Sequence, residues 1–76
     1  MAQLAKTLED IARAIVDNPD EVRVEQAQDG ETVVLTLSVA ESDTGKVIGQ
    51  HGRVARAIRA LMKAAASPGR VVVEIR

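Results

Sequence analysis

Residues 46–59 read KVIGQHGRVARAIR, and two glycines, Gly49 and Gly52, stand three apart inside a stretch whose flanks both look helical. Glycine in a helix interior costs about 1 kcal/mol relative to alanine. Two of them therefore mark a break between a short helix ending near Ile48 and a longer one starting near Arg53. Glycine tolerates positive φ and lets another backbone come close. The helix that follows begins with unpaired amide hydrogens and a partial positive charge. Gly-x-x-Gly at such a junction is a compact anion cradle. Lys46 before it and Arg53 and Arg56 after it add long-range attraction for a polyanion.

The elements on either side follow from periodicity. Downstream, Val54, Ala57, Ile58, Leu61, Met62 and Ala65 fall on one stripe of a helix over 53–66, with Arg56, Arg59 and Lys63 on the opposite face. Ser67-Pro68-Gly69 stops it. Residues 70–76 form a strand with Val71, Val73 and Ile75 turned inward. Upstream, Ser42 or Asp43 is placed to cap the short helix. Residues 32–40, TVVLTLSVA, are the clearest strand, with Val33, Leu35, Leu37 and Val39 on one face. Asp29-Gly30 is a hairpin signal, preceded by an alternating strand over 21–28 and, after Asn18-Pro19, an amphipathic helix over 2–17 carrying Leu4, Leu8, Ile11 and Ile15. The order is α-β-β-α-turn-α-β. One α+β domain over residues 1–76 is expected, a three-stranded sheet covered on one face by three helices. Leu35 and Ile58 are its expected central core positions.

Composition excludes several functions. There is no cysteine, so disulfides, thiol catalysis and cysteine-based zinc sites are ruled out. His51 is the sole histidine and has neither a carboxylate pair nor a Ser or Cys nucleophile beside it, so no metal, no cofactor and no catalysis are expected. Gly45-Lys46 lacks the spacing of a nucleotide-binding P-loop. No apolar run is long enough to span a membrane, and the N-terminus has no signal-peptide core, so a cytoplasmic protein is expected. With no Phe, Tyr or Trp, nucleic acid could not be held by aromatic stacking from this chain. Net charge is −1, yet residues 1–43 hold three basic against ten acidic residues, and residues 44–76 seven basic against one acidic. Such asymmetry hints at a polyanionic partner, or at attraction between the halves.

The run Val47-Ile48-Gly49-Gln50-His51-Gly52-Arg53-Val54-Ala55-Arg56-Ala57-Ile58 resembles the signature of the KH domain: an apolar pair, Gly-x-x-Gly, a polar or basic residue, then an apolar residue six places after the second glycine. The element order, with an extra helix and strand ahead of the β-α-α-β core, resembles the type II arrangement, and the length is similar to that of small stand-alone bacterial KH proteins. The resemblance implies single-stranded RNA binding, with about four nucleotides along a groove beside the loop. Carried over by position, Gly49, Gln50, His51 and Gly52 form the clamp, Arg53, Lys46 and Arg56 supply charge, and Val47 and Ile48, with Val54, are the candidates to wall the groove, at least some of the three belonging to the core. Many KH loops carry Lys or Arg between the glycines. Gln50-His51 is neutral or only partly charged, so weak, fairly unspecific binding is expected unless the protein is doubled up by oligomerisation. The resemblance further implies an RNA chaperone or post-transcriptional regulator that pairs with itself or with a larger KH-containing protein of the Jag (KhpB) type. The alternative is a KH fold kept for dimerisation or partner docking, with RNA incidental.

Overall fold

The strand over Thr32–Ser38 (β2) is the middle of the sheet, with Leu35 and Leu37 fully buried and Thr36 and Ser38 on the other face. Around it the computed structural model describes residues 4–76 in the order α1 (Leu4–Ile15), β1 (Arg23–Asp29), β2, α2 (Thr44–Ile48), α3 (Arg53–Ala66) and β3 (Arg70–Ile75). Three short 3-10 turns lie at Pro19–Glu21, Glu41–Asp43 and Gln50–Gly52. The first two residues of the expected N-terminal helix lie outside the described residues. β1 pairs antiparallel with β2 through the two-residue connection Gly30-Glu31, and Gly30 has the positive φ such a tight reversal favours. β3 pairs parallel with β2, Leu35 facing Val73. Parallel neighbours need a crossover, and α2–α3 supplies it. β1 starts two residues later than its alternation suggests, because Pro19–Glu21 turns with Glu21 N–H donating to Asn18 O at 3.0 Å.

One core lies between sheet and helices. α1 contributes Leu8 and Ala12, β2 Leu35 and Leu37, α2 Val47, α3 Ile58 and Met62, and β3 Val73. The expected centres Leu35 and Ile58 are both in it.

The α3 stripe differs from its sequence reading. Ala55, Ile58 and Met62 are buried, while Ala57 and Ala65 are exposed and Leu61 keeps 57% of its surface. At about 100° per residue, the inward direction is rotated by roughly 60° toward Ala55. Alanine discriminates faces poorly because it has little apolar area to bury, so Ala57 and Ala65 pulled the expected stripe the wrong way. The rotation also moves Arg59 from the outer face to the flank beside β3.

Candidate nucleic-acid interface

Asp43 anchors α2 to the rest of the fold. Its carboxylate is 1% exposed and accepts hydrogen bonds from Asp17 N–H at 3.2 Å, Asn18 N–H at 3.0 Å and Asn18 Nδ2 at 3.0 Å. It does not cap α2 through its side chain, nor does any other residue. It holds the C-terminal end of α1 instead. Burial pushes the Asp43 carboxyl up, but those hydrogen bonds, with the Lys46 charge nearby, outweigh it and hold the group below its ordinary value. Asn18 Nδ2 also reaches Ser42 Oγ at 3.5 Å. Lys46 points the same way, its Nζ 3.2 Å from Asp17 Oδ2. It stands with this anchor, away from the arginines it was grouped with.

At the other end of α2 the chain reverses in four residues. Gly49 N–H closes α2 on Gly45 O at 2.8 Å, and Gly52 N–H donates to Gly49 O at 3.1 Å. Three of the four residues have positive φ: Gly49 at 75°, His51 at 57° and Gly52 at 75°. The two glycines serve different needs. A Cβ on Gly49 would overlap the Val54 side chain and lie 2.8 Å from Val54 N, whereas a Cβ on Gly52 would meet nothing within 4 Å. Gly49 is fixed by packing against the first turn of α3. Gly52 borders open space, so its bare backbone leaves room for something from outside. Gln50 and His51 are exposed, and no side chain caps the start of α3.

Arg53 and Arg56 sit in the first turns of α3, where cations oppose the helix dipole. Among the described residues, no ion pair involves a basic residue beyond Lys46; the other pairs tie Lys6 and Arg13 to Glu9 and Asp10 on α1. Two arginines of α3 are held by main-chain carbonyls instead. Arg56 Nη2 donates to His51 O at 3.2 Å, and Arg59 Nε to Val73 O at 3.2 Å. Between them a cavity of 350 Å³ opens, lined by Ile48, Ala55 and Ile75 below and by His51, Gly52, Arg56 and Arg59 at its rim. Ile48 is 40% exposed and faces this space, whereas Val47 has no accessible surface and belongs to the core. A groove wall cannot include Val47: adjacent residues on a helix point about 100° apart, so with Val47 in the core Ile48 turns outward. Val54 is half-buried against the core beside Gly49. The structure thus brings Ile48, Gly49, Gln50, His51, Gly52, Arg53 and Arg56 to one end of the molecule and adds Ala55, Arg59 and Ile75. The additions depend on α3 lying against β3, which no local pattern announces.

A β-α-α-β core with Gly-x-x-Gly between its helices, preceded by a helix and an antiparallel strand on a three-stranded mixed sheet, defines a type II KH domain. The family model for the KhpA/KhpB KH domain matches residues 5–75, and the chain belongs to that family. It is 51% identical to a protein of Caldanaerobacter subterraneus subsp. tengcongensis, over 99% of both chains, and 50% identical to one of Clostridium acetobutylicum, over 95% of this chain and 99% of the relative. A protein of Aquifex aeolicus is 43% identical over 99% of this chain and 98% of its own. Each of the three is named RNA-binding protein KhpA. No helix among the described residues is long and apolar enough to cross a membrane.

Proposed function

We propose that this chain binds single-stranded RNA, with the sugar–phosphate strand pressed against Gly49–Gly52 and bases laid into the neighbouring cavity. The observation that carries this reading is the exposed, uncapped junction between α2 and α3, flanked by arginines that have no carboxylate partner among the described residues. The open space beside Gly52 admits a phosphate close to the helix start. Arg53 and Arg56 cost helix stability where they stand, and a polyanion turns that cost into attraction. The names of the relatives agree with this role. It is a binding role rather than catalysis, exercised in the cytoplasm, as an RNA chaperone or post-transcriptional regulator. Lys46, paired with Asp17, contributes only to the long-range field.

The double variant Gln50→Asp/His51→Asp tests the clamp. Carboxylates beside the phosphate lower RNA affinity by on the order of 100-fold or more, while circular dichroism and melting stay near wild type because both side chains are solvent-facing. Affinity also falls as salt rises: two to four phosphate contacts give a slope of log K against log salt of roughly −1.4 to −2.8. Unchanged binding in the double variant, or a flat salt response, removes the clamp.

One observation favours a second activity, self-association or pairing with a larger KH-containing protein of the Jag (KhpB) type. The exposed ridge of α3 presents Leu61 between Ala57 and Ala65. Pairing two loops raises the avidity of weak individual clamps. If RNA is incidental, Leu61→Glu changes the assembly state in sedimentation while the loop variant changes nothing measurable.

A further inference from the structure

The clamp reads no sequence, because phosphates carry none. The cavity beside it is different. Its floor is aliphatic, and none of its lining residues is an Asp, Glu, Asn, Gln, Ser or Thr. Apart from His51 at the loop end, its polar side chains are two guanidinium groups, which have five N–H donors each and no acceptor. A base seated on Ile48, Ala55 and Ile75 therefore meets side-chain donors.

One of the two guanidiniums is aimed by the sheet. Arg76 N–H donates to Leu37 O at 2.8 Å, so in this parallel ladder the main-chain groups of Arg76 and Glu74 turn toward β2. Those of the alternate residues, Val73 and Ile75, turn to the free edge of β3. Arg59 Nε takes the Val73 carbonyl on that edge. The contact leaves both Nη groups available at the cavity rim and fixes the plane of the fork. Arg56, held on the loop by His51 O, sits nearer the clamp.

The geometry points to Arg59 as the specificity-determining residue of this groove: its fork, braced on the edge of β3, selects bases that present two adjacent acceptors over those that set a donor beside an acceptor. The inference rests on the RNA-binding reading above. Cytosine offers O2 and N3 side by side, and guanine O6 and N7, the edge to which arginine binds in bidentate fashion. Adenine places its N6 amine beside N1 and beside N7, and uracil places N3–H between O2 and O4. Against those edges one arm of the fork meets another donor, and a desolvated donor without an acceptor is costly.

The test is fluorescence anisotropy with labelled octacytidylate and octaadenylate at one pH and one salt concentration. Wild type binds the cytidylate more tightly, by about 5- to 100-fold. Arg59→Lys keeps the charge and loses the planar fork, so both oligonucleotides still bind and the ratio falls toward one. Arg59→Gln supplies a donor and an acceptor together, the pairing adenine needs, and moves the ratio toward the adenylate. Because stacking within each oligonucleotide is the same for every variant, the change in ratio isolates the side chain. Equal binding of both by wild type, or a ratio that survives Arg59→Lys, overturns the inference while leaving the clamp intact. Binding of neither overturns the RNA-binding reading and this inference with it.

Discussion

The two ends of α2 are separated by five residues and are built on opposite terms. At the N-terminal end a buried carboxylate, Asp43, receives three hydrogen bonds from Asp17 and Asn18. At the C-terminal end three of four residues have positive φ, one of them a histidine, and the two side chains between the glycines are exposed. Backbone strain persists only where the surroundings over-determine it. Here the surroundings are the anchor, which ties α2 to α1, and Val47, which plugs α2 into the core. With its near end fixed, α2 holds the far end in a conformation the loop would not keep alone. At the rigid end the key side chain, Asp43, is used up inside the fold; at the strained end the two side chains between the glycines face solvent.

The largest effect expected from breaking this contrast comes at Gly49. Gly49→Ala forces a Cβ into Val54 at a positive φ. A φ of 75° with a ψ of 170° is a region essentially reserved to glycine, and that strain together with overpacking costs about 2–6 kcal/mol, read as a lowered urea midpoint. Gly52→Ala carries only the conformational part, about 1–2 kcal/mol, because its Cβ meets nothing within 4 Å. Gly52→Ala nevertheless weakens RNA binding more than its stability loss explains, since the new methyl stands where the strand is received. Equal destabilisation by the two substitutions would show that the first glycine is not set by packing.

Asp43 comes next. Asp43→Ala leaves the Asp17 and Asn18 backbone N–H groups without their acceptor and the Asn18 amide with only its 3.5 Å contact to Ser42 Oγ, and melting falls on the order of 10 °C for a domain of this size. The effect has a pH signature. Because the Asp43 carboxyl is held below its ordinary value in the native state, its contribution is complete above the unfolded carboxylate range, about pH 4, and is withdrawn as pH falls through the lowered native value. Asp43→Asn removes this source of acid sensitivity, so its stability declines less on acidification below about pH 4 than that of wild type. Parallel acid limbs for the two proteins would mean the carboxylate is not the group being titrated.

The same contrast separates what was legible in the sequence from what was not. The loop was legible because glycine spacing, flanking helices and following arginines all lie within fourteen residues. The strands and their inward faces were legible because their side-chain period is two and Val, Leu and Ile carry it. Asp43 was misread as a helix cap because its real partners lie 25 and 26 positions upstream, and a local pattern cannot register a contact of that span. Val47 and Ile48 are both apolar neighbours of the first glycine, and only the tertiary fit decides that the first enters the core and the second lines the cavity. Arg59 escaped for a related reason. Its place beside β3 follows from the rotation of α3, which alanine-rich positions cannot specify, and from a parallel pairing that brings the end of the chain next to the loop.

His51 gives the smallest and most selective way to sharpen the comparison. Its φ of 57° and ψ of 24° place a side-chain-bearing residue in the left-handed region, which glycine occupies without penalty. Nothing among the described residues holds the imidazole there: the hydrogen bond in this residue is made by its carbonyl, to Arg56. His51→Gly therefore relieves local strain without removing a side-chain contact. Part of the gain is returned as entropy of the more flexible unfolded chain. The expected balance is a stabilisation of up to about 1 kcal/mol, with RNA affinity reduced only by the loss of one hydrogen-bonding side chain at the loop. A loss of stability on His51→Gly would mean that the imidazole itself braces the turn, and the loop would then no longer stand as the strained, weakly held counterpart of the Asp43 anchor.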